Sequence, residues 1–291
     1  MGAAAAILAL VAAISFALAA TLWQRASMDA GVEPGDARGL VGLLTNGVWL
    51  LGLVAQGVGV ALQAAALDRG RVAIIQPLLV TSIVWALPLG YLLTHQTITR
   101  RHIAGASIIV VGLAVFATVG DPAAGIDDAP TSTWISALLV VAAVCIGLMI
   151  VGAHGSLATK AAVFGTTAGA LYGVAATLMK PVIEAWHVDG LGPLLTGWQV
   201  WVMAAAGLVG FALQQVSLAT GKLVTSVATV SVTNPVVSVL LGALVLQERL
   251  DTTPEWHAVV AIGALAVAML GAVVIASASE SEPDTVQLAV S

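Results

Sequence analysis

The chain has 291 residues, of which 59% are hydrophobic and only 9% are charged, and its mean hydropathy is +1.04. A soluble domain carries about 25% charged residues, and a soluble fold of this length cannot hide so much apolar surface from water. The net charge of −5 comes without a basic patch, which excludes a nucleic-acid partner. The sequence therefore predicts an integral membrane protein.

Long apolar runs follow one another along the chain, separated by short linkers. Inside a bilayer every backbone N–H and C=O needs a partner within the spanning segment, so these runs must be helices, and each crossing takes about 20 residues. The sequence predicts an all-α fold with nine transmembrane helices, over residues 3–23, 42–67, 72–93, 103–120, 134–152, 161–183, 194–219, 223–247 and 257–278. Because no charge precedes Arg25, we expect a retained first helix rather than a signal peptide.

The basic residues of the linkers predict how the chain lies in the membrane. The side opposite the N-terminus holds six and the N-terminal side holds four, namely Arg25, Arg38, Arg100, Arg101, Lys160 and Lys222 against Arg69, Arg71, Lys180 and Arg249. The linker from Gly120 to Ser132 has three aspartates and no base, and it falls on the four-base side. We therefore expect a multi-pass protein of the cell membrane with its N-terminus outside and its C-terminus in the cytoplasm.

Tryptophans cluster near the ends of the predicted spans, at Trp23, Trp134, Trp186, Trp198 and Trp256. This placement is typical of an interfacial aromatic belt. Three others, Trp49, Trp85 and Trp201, lie deeper and are interpreted as packing residues.

The second and seventh predicted spans carry the same residues in the same order. Val58-Gly-Val-Ala-Leu-Gln-Ala-Ala-Ala-Leu67 matches Val209-Gly-Phe-Ala-Leu-Gln-Gln-Val-Ser-Leu218 at six positions, 151 residues further along. That offset also carries Gly70 onto Gly221 and Gln96 onto Gln247, and an offset of 156 carries Ala19-Ala-Thr-Leu22 onto Ala175-Ala-Thr-Leu178. Spans 1 to 4 thus correspond to spans 6 to 9. Because one extra crossing separates the copies, the second is expected to be inverted relative to the first.

The repeat divides the chain into four parts. Residues 1–120 form the first transmembrane repeat, and residues 121–160 contain the acidic linker and span 5, which acts as a connector. Residues 161–278 form the second repeat. Residues 279–291 are small, polar and acidic, and we expect them to be a disordered tail.

The four-plus-one-plus-four arrangement resembles the drug/metabolite transporter superfamily. The third span ends in Gly90-Tyr-Leu-Leu-Thr-His-Gln-Thr-Ile-Thr99, and the eighth runs Ser231-Val-Thr-Asn-Pro-Val-Val-Ser-Val-Leu-Leu-Gly-Ala-Leu-Val-Leu-Gln-Glu-Arg-Leu250, which is similar to the EamA pattern. The count of nine spans and Ile75-Gln76-Pro77-Leu78 look like the NIPA-type magnesium transporter branch. The resemblance implies secondary transport by alternating access.

Three functions stay open at this point. The first is secondary transport of a small organic solute. The second is NIPA-like transport of magnesium or another divalent cation, for which the resemblance implies polar or acidic groups in the second span; this chain carries Gln56 and Gln63 there. The third is a membrane scaffold that transports nothing. The substrate, the direction and the coupling ion are not specified by the sequence.

The candidate substrate-binding residues are uncharged, because no ionisable group falls near the centre of a predicted span. Amides in lipid must face protein or water, and proline in a helix frees a carbonyl that can line a cavity. Interrupted helices in both halves are a sequence indication of a transporter site. The predicted set is Gln56, Gln63, Gln76, Tyr172, Gln214, Thr233 and Asn234, with helix breaks at Pro77 and Pro235.

Three glycines, Gly165, Gly169 and Gly173, recur every four residues in the sixth span. They predict a helix-packing seam where backbones approach closely, and a sliding surface for alternating access is the alternative.

We expect no enzyme, no cofactor and no metal site. The five histidines fall in linkers or at span ends without metal-ligand spacing, and the single cysteine, Cys145, excludes an internal disulfide and a thiolate metal site. The expected partners are a small-molecule or ion substrate and the lipid bilayer, and a homodimer stays open.

Overall fold

The computed structural model describes residues 3–32, 36–69, 78–119, 122–123, 129–189, 192, 196–247, 249–250 and 256–280. In this part of the chain, nine helices have 13 residues or more: α1 (Ala3–Asp29), α3 (Gly47–Arg69), α4 (Ser82–Thr94), α5 (Arg100–Val119), α6 (Thr131–Ala153), α7 (Leu157–Asp189), α8 (Trp198–Ala219), α9 (Leu223–Leu244) and α10 (Trp256–Glu280). A short helix α2 (Ala37–Gly42) and a 3₁₀ turn (Leu43–Thr45) precede α3.

Among the described residues, five helical segments are long and apolar enough to cross a membrane: Ala4–Asp29, Thr131–Gly152, Leu157–Met179, Trp198–Ala219 and Leu223–Leu244. Three shorter apolar segments are Gly47–Gln63, Leu78–Thr94 and Val259–Ile275. The prediction of an apolar α-helical membrane protein is thus confirmed. Some bounds differ from the predicted spans: α1 continues six residues past residue 23, and α7 reaches Asp189.

Polar side chains fix where several helices begin. Asn46 precedes α3, and its Oδ1 accepts hydrogen bonds from the backbone N–H groups of Val48 (2.9 Å) and Trp49 (3.1 Å). This satisfies donors that have no partner within the helix. The predicted second span started at residue 42, but this cap sets the start of α3 at Gly47 and leaves α2 as a separate turn of helix.

Two very short strands connect distant parts of the chain. β1 (Pro122–Ala123) pairs antiparallel with β2 (Arg249–Leu250), with Pro122 opposite Leu250 and Ala123 opposite Arg249. The sequence predicted no strand in either place. The pairing ties the linker after α5 to the segment that follows α9.

The helices pack in two groups with the same internal pattern. α1 packs against α3 and α4, and α7 packs against α8 and α9. Between the groups, α5 packs along α10, α4 packs on α9, and α1 reaches α8 and α9, while α6 lies against α7. We call α1, α3, α4 and α5 the first half and α7 to α10 the second half.

The α5–α10 contact is close because small residues meet there. A Cβ built on Gly112 would lie 2.8 Å from the carbonyl oxygen of Ala264, and one on Gly105 would lie 2.8 Å from that of Gly271. Such contacts admit only glycine, so the two backbones touch directly.

The three predicted seam glycines lie buried between α7 and α9. A Cβ on Gly165 would collide with Thr229 Oγ1, and a Cβ on Gly173 would lie 2.8 Å from the carbonyl oxygen of Asn234. Helix α9 therefore lies directly on the glycine face of α7.

We predict that Gly169→Ala destabilises the protein. The new Cβ would lie 2.9 Å from both Thr233 Cβ and the carbonyl oxygen of Val230, and overpacking of this kind costs about 1–3 kcal/mol. Gly207→Ala in α8 is the matched control, because nothing lies within 4 Å of its Cβ position and alanine favours helix by about 0.5–1 kcal/mol. Thermal unfolding in detergent tests this, and equal melting temperatures for the two variants would contradict it.

Candidate functional site

Four side chains join the two halves in what we call the interface cluster: Trp23, Trp49, Phe211 and Gln215. Trp23 Nε1 donates to the carbonyl oxygen of Trp49 at 3.1 Å, and Trp49 Nε1 donates to Gln215 Oε1 at 3.1 Å. The Phe211 ring lies edge-on to both indoles, at centroid distances of 5.1 Å from Trp23 and 6.1 Å from Trp49. Aromatic packing and one buried hydrogen bond therefore hold α8 against α1 and α3.

Two buried amides in this region have atoms without hydrogen-bond partners. Gln24, next to Trp23 on α1, is 0% exposed, and neither its Nε2 nor its Oε1 is hydrogen-bonded. In the interface cluster, Gln215 uses its Oε1 but its Nε2 is also without a partner. Buried polar groups are nearly always paired, so these unpaired atoms are candidates for direct contact with a solute.

The predicted pair Gln63 and Gln214 has different surroundings in the two halves. Gln214 Oε1 accepts a hydrogen bond of 2.7 Å from the Tyr172 hydroxyl, which joins α8 to α7. Gln63 and Gln56 are half-buried on α3. Of the predicted substrate-binding set, the structure thus brings Tyr172 and Gln214 into direct contact.

The polar residues ahead of Pro235 lie on α9, which continues through the proline from Leu223 to Leu244 rather than ending there. Proline still removes one backbone hydrogen bond from the helix. Thr233 and Asn234 are half-buried and lie where α9 meets the glycine face of α7. Gln76 and Pro77 lie outside the described residues.

A second contact between the halves lies at the end of α4. Gln96 Nε2 donates to the carbonyl oxygen of Gly221, in the turn between α8 and α9. Beside it, a Cβ on Gly90 would lie 3.0 Å from Leu223 Cδ2. The linker after α4 is therefore held on the turn of the other half.

His102 caps the helix that follows this linker. The Thr99 N–H donates to His102 Nδ1 at 3.2 Å, and the His102 N–H donates to Thr99 Oγ1 at 3.4 Å. This reciprocal pair is a capping box in which histidine replaces the usual Glu or Gln. An Nδ1 that accepts a hydrogen bond carries no proton. Burial, and then the charge of Lys222, lower the pKa of His102 below its usual value.

The sequence analysis did not identify Gln24, Trp23, Trp49 or Gln215 as site residues. Gln24 fell one residue beyond the predicted first span, and Trp23 was placed in the interfacial belt. Both are fully buried because α1 extends to Asp29 and packs on both halves. The available signal was an amide that directly follows an apolar run ending in a tryptophan.

No family model matches the chain, and no solved structure matches it. An uncharacterised protein of Corynebacterium glutamicum is 28% identical over 245 residues, which cover 84% of each chain. The probable 4-amino-4-deoxy-L-arabinose-phosphoundecaprenol flippase subunit ArnE of Klebsiella pneumoniae is 34% identical over 71 residues, 24% of this chain and 63% of that subunit. Together with the apolar helices, this partial similarity indicates a multi-pass membrane protein of transporter type.

We predict that acid weakens the fold through His102. Its pKa is lowered in the folded state, so the unfolded chain takes up the proton first, and stability falls as the pH drops below about 6.5. Protonated Nδ1 cannot accept the Thr99 N–H, and losing a cap costs about 1 kcal/mol. The melting temperature between about pH 7.5 and pH 5.5 measures the effect.

His102→Gln supplies the control, because glutamine keeps the capping box without a titrating group. It should reduce the acid-induced fall in melting temperature, whereas His154→Gln, at an exposed histidine, should leave that fall unchanged. An acid-induced fall of the same size in His102→Gln and in the unmodified protein would contradict the assignment.

Proposed function

We propose that the protein is a secondary transporter that moves a small organic solute by alternating access, of the drug/metabolite transporter type. The proposal includes nine membrane crossings and an inverted repeat of four helices on each side of α6. It rests on the resemblance of the sequence to that superfamily, and the partial similarity to a flippase subunit supports a transport role.

The helix packing supports the repeat. α1 lies against α3 and α4 in the first half, as α7 lies against α8 and α9 in the second. The remaining helices of the two halves, α5 and α10, pack on each other. The main packing partners within each half thus correspond, helix by helix.

A pair of ring-to-glycine contacts supports the repeat at the level of single residues. A Cβ on Gly59 would lie 2.5 Å from the ring of Phe16, and a Cβ on Gly210 would lie 3.2 Å from the ring of Tyr172. Gly59 and Gly210 are 151 residues apart, and Phe16 and Tyr172 are 156 apart, which are the two offsets of the sequence repeat. Equivalent positions therefore make equivalent contacts, with a hydroxyl added in the second half.

The observation that carries the transport proposal is the unpaired amide of Gln24. It lies on α1, which packs against helices of both halves. Leaving an amide unpaired in an apolar interior costs about 1–3 kcal/mol, so it suits a site where a solute supplies the missing partners. With two donors and two acceptor lone pairs, Gln24 fits a neutral or zwitterionic solute.

The flippase subunit's name gives an amino-sugar lipid as the compound moved by its complex. Amino sugars therefore belong in the first panel of solutes to be tried, beside amino acids and uncharged metabolites. Divalent-cation transport gains no support, since the described residues place no three His, Cys, Asp or Glu side chains together. No contact in the described part of the chain favours a purely structural scaffold.

We predict that Gln24→Leu abolishes transport while raising the melting temperature. Leucine removes a buried amide that has no hydrogen-bond partner within the protein, and with it a desolvation cost of about 1–3 kcal/mol. It also removes the group that would bind the solute. Uptake by proteoliposomes is measured with the solute panel and with Mg²⁺, and thermal unfolding is measured on the same preparations.

Gln214→Leu is the matched comparison. It leaves the Tyr172 hydroxyl without its acceptor, so it should lower the melting temperature by the equivalent of about 1 kcal/mol. Full transport by Gln24→Leu would remove Gln24 from the site, and an unmodified protein that moves none of the solutes would contradict the transport proposal.

We predict that the α5–α6 linker faces outward and the α4–α5 linker faces the cytoplasm. Single cysteines replace exposed residues in a Cys145→Ala background, namely Ser132→Cys at the start of α6 and Thr97→Cys after α4. In intact cells a membrane-impermeant maleimide should label the first and reach the second only after permeabilisation. The reverse pattern would place the N-terminus in the cytoplasm.

A further inference from the structure

The interface cluster and the Gln96–Gly221 contact both lie at the same end of the helix bundle. The interface cluster joins the C-terminal part of α1 to the start of α3 and the end of α8. The Gln96–Gly221 contact joins the end of α4 to the turn that follows α8. One buried hydrophobic cluster contains Trp23, Trp49 and Leu223 and connects these contacts. This end of the bundle is closed by side chains from both halves.

The repeat places a counterpart of each closing residue at the other end. Adding 156 to Trp23 gives Met179, subtracting 151 from Phe211 gives Val60, and adding 151 to Gln96 gives Gln247. Trp23 is 0% exposed, but Met179 is 48% and Val60 is 52% exposed. Equivalent positions are thus covered at one end and uncovered at the other.

The helix ends around the two glutamines are built alike. Non-glycine residues adopt positive φ at His95 (52°) and Gln247 (54°), one position apart in the repeat register. The carbonyl oxygens of Gly90 and Leu241, which are 151 residues apart, accept the final N–H groups of α4 and α9. Left-handed backbone is unfavourable for residues other than glycine, so a shared use of it indicates a shared role.

The two glutamines differ in what they contact. Gln96 is half-buried and bonded to Gly221 of the other half, whereas Gln247 is exposed. An amide that binds a backbone carbonyl through one hydrogen bond can form and break that contact without disturbing the helix that carries it.

We propose that Gln96 is a latch that, with the interface cluster, closes the solute path at this end, and that Gln247, with Val60 and Met179, forms the corresponding closure at the other end in the alternate state. The inference rests on the proposed repeat and transport function. The structure is the state in which the Gln96 end is closed. Without solute, the populations of the two states depend on the difference in free energy between their contacts. Removing the Gln96 contact therefore favours the state in which the other end is closed.

The test measures water access to one cysteine at each end, in a Cys145→Ala background in lipid nanodiscs. Val224→Cys reports on the closed end, since Val224 is buried in the same cluster as Trp23. Met179→Cys reports on the other end. A hydrophilic maleimide should label Met179→Cys rapidly and Val224→Cys slowly. A thiol that faces lipid would not react, so slow labelling of Met179→Cys would overturn the proposal.

Gln96→Leu and Gln247→Leu are then added to each reporter as a matched pair. Gln96→Leu should speed labelling of Val224→Cys by about three- to tenfold, the factor that one net hydrogen bond supplies, and slow that of Met179→Cys. Gln247→Leu should slow labelling of Val224→Cys or leave it unchanged. Equal effects of the two changes, or no effect of Gln96→Leu on either reporter, would overturn the proposal.

Gln96→Asn covers the case in which leucine prevents folding. It keeps the amide but is one methylene too short to reach Gly221, so it should act in the same direction as Gln96→Leu, and a lack of effect in folded protein counts against the latch. Labelling needs no solute. A failure of the latch, seen by labelling, is therefore distinguishable from a failure of the transport proposal, seen with the solute panel.

Discussion

Polar groups within hydrocarbon have no water to bind, so each one must find a partner in the protein or in a solute. The chain of hydrogen bonds from Trp23 to Trp49 to Gln215 answers this constraint across the two halves. It satisfies both indole N–H groups and one amide oxygen. The Gln24 amide and the Gln215 Nε2 are buried polar groups that have no hydrogen-bond partner within the protein.

The same constraint explains why hydroxyl residues are common in these helices without disturbing them. Thr21 and Thr177 each donate to the carbonyl oxygen four residues earlier, and Ser217 donates to the carbonyl oxygen of Ala161 on the neighbouring helix. A hydroxyl satisfied in this way takes little more space than an alanine. Such residues therefore need little room between neighbouring helices.

Composition and the lengths of the apolar runs were sufficient to predict helices and their approximate bounds, because membrane solvation leaves few alternatives. They could not predict which side chains are buried on a helix whose ends had been predicted wrongly. Trp23 looked interfacial only because the first span was taken to end there, and the six further residues of α1 carry it and Gln24 into the bundle. Likewise Pro235 suggested a break, but α9 continues through it, since its neighbours on α7 hold it in place.

Long-range pairings were also beyond the sequence. Nothing local distinguishes Gln215, which bonds Trp49, from its neighbour Gln214, which bonds Tyr172. The two residues point to different helices because consecutive side chains on a helix are about 100° apart. Likewise, the β1–β2 pair joins residues more than a hundred positions apart and carries no strand-like alternation.

The α5–α10 contact bears on the ancestry of the fold. On the repeat register Gly112 is next to the counterpart of Ala264, so the place where they touch is close to the two-fold axis that would relate the halves. Two copies of a single four-helix ancestor would have met there through one self-complementary surface. In such a dimer, a single substitution near the axis would have changed both subunits, and therefore both sides of the contact. Under the proposed repeat, fusion into one chain would remove that restriction and leave each side free to diverge, as at Leu113 and its counterpart Ala264.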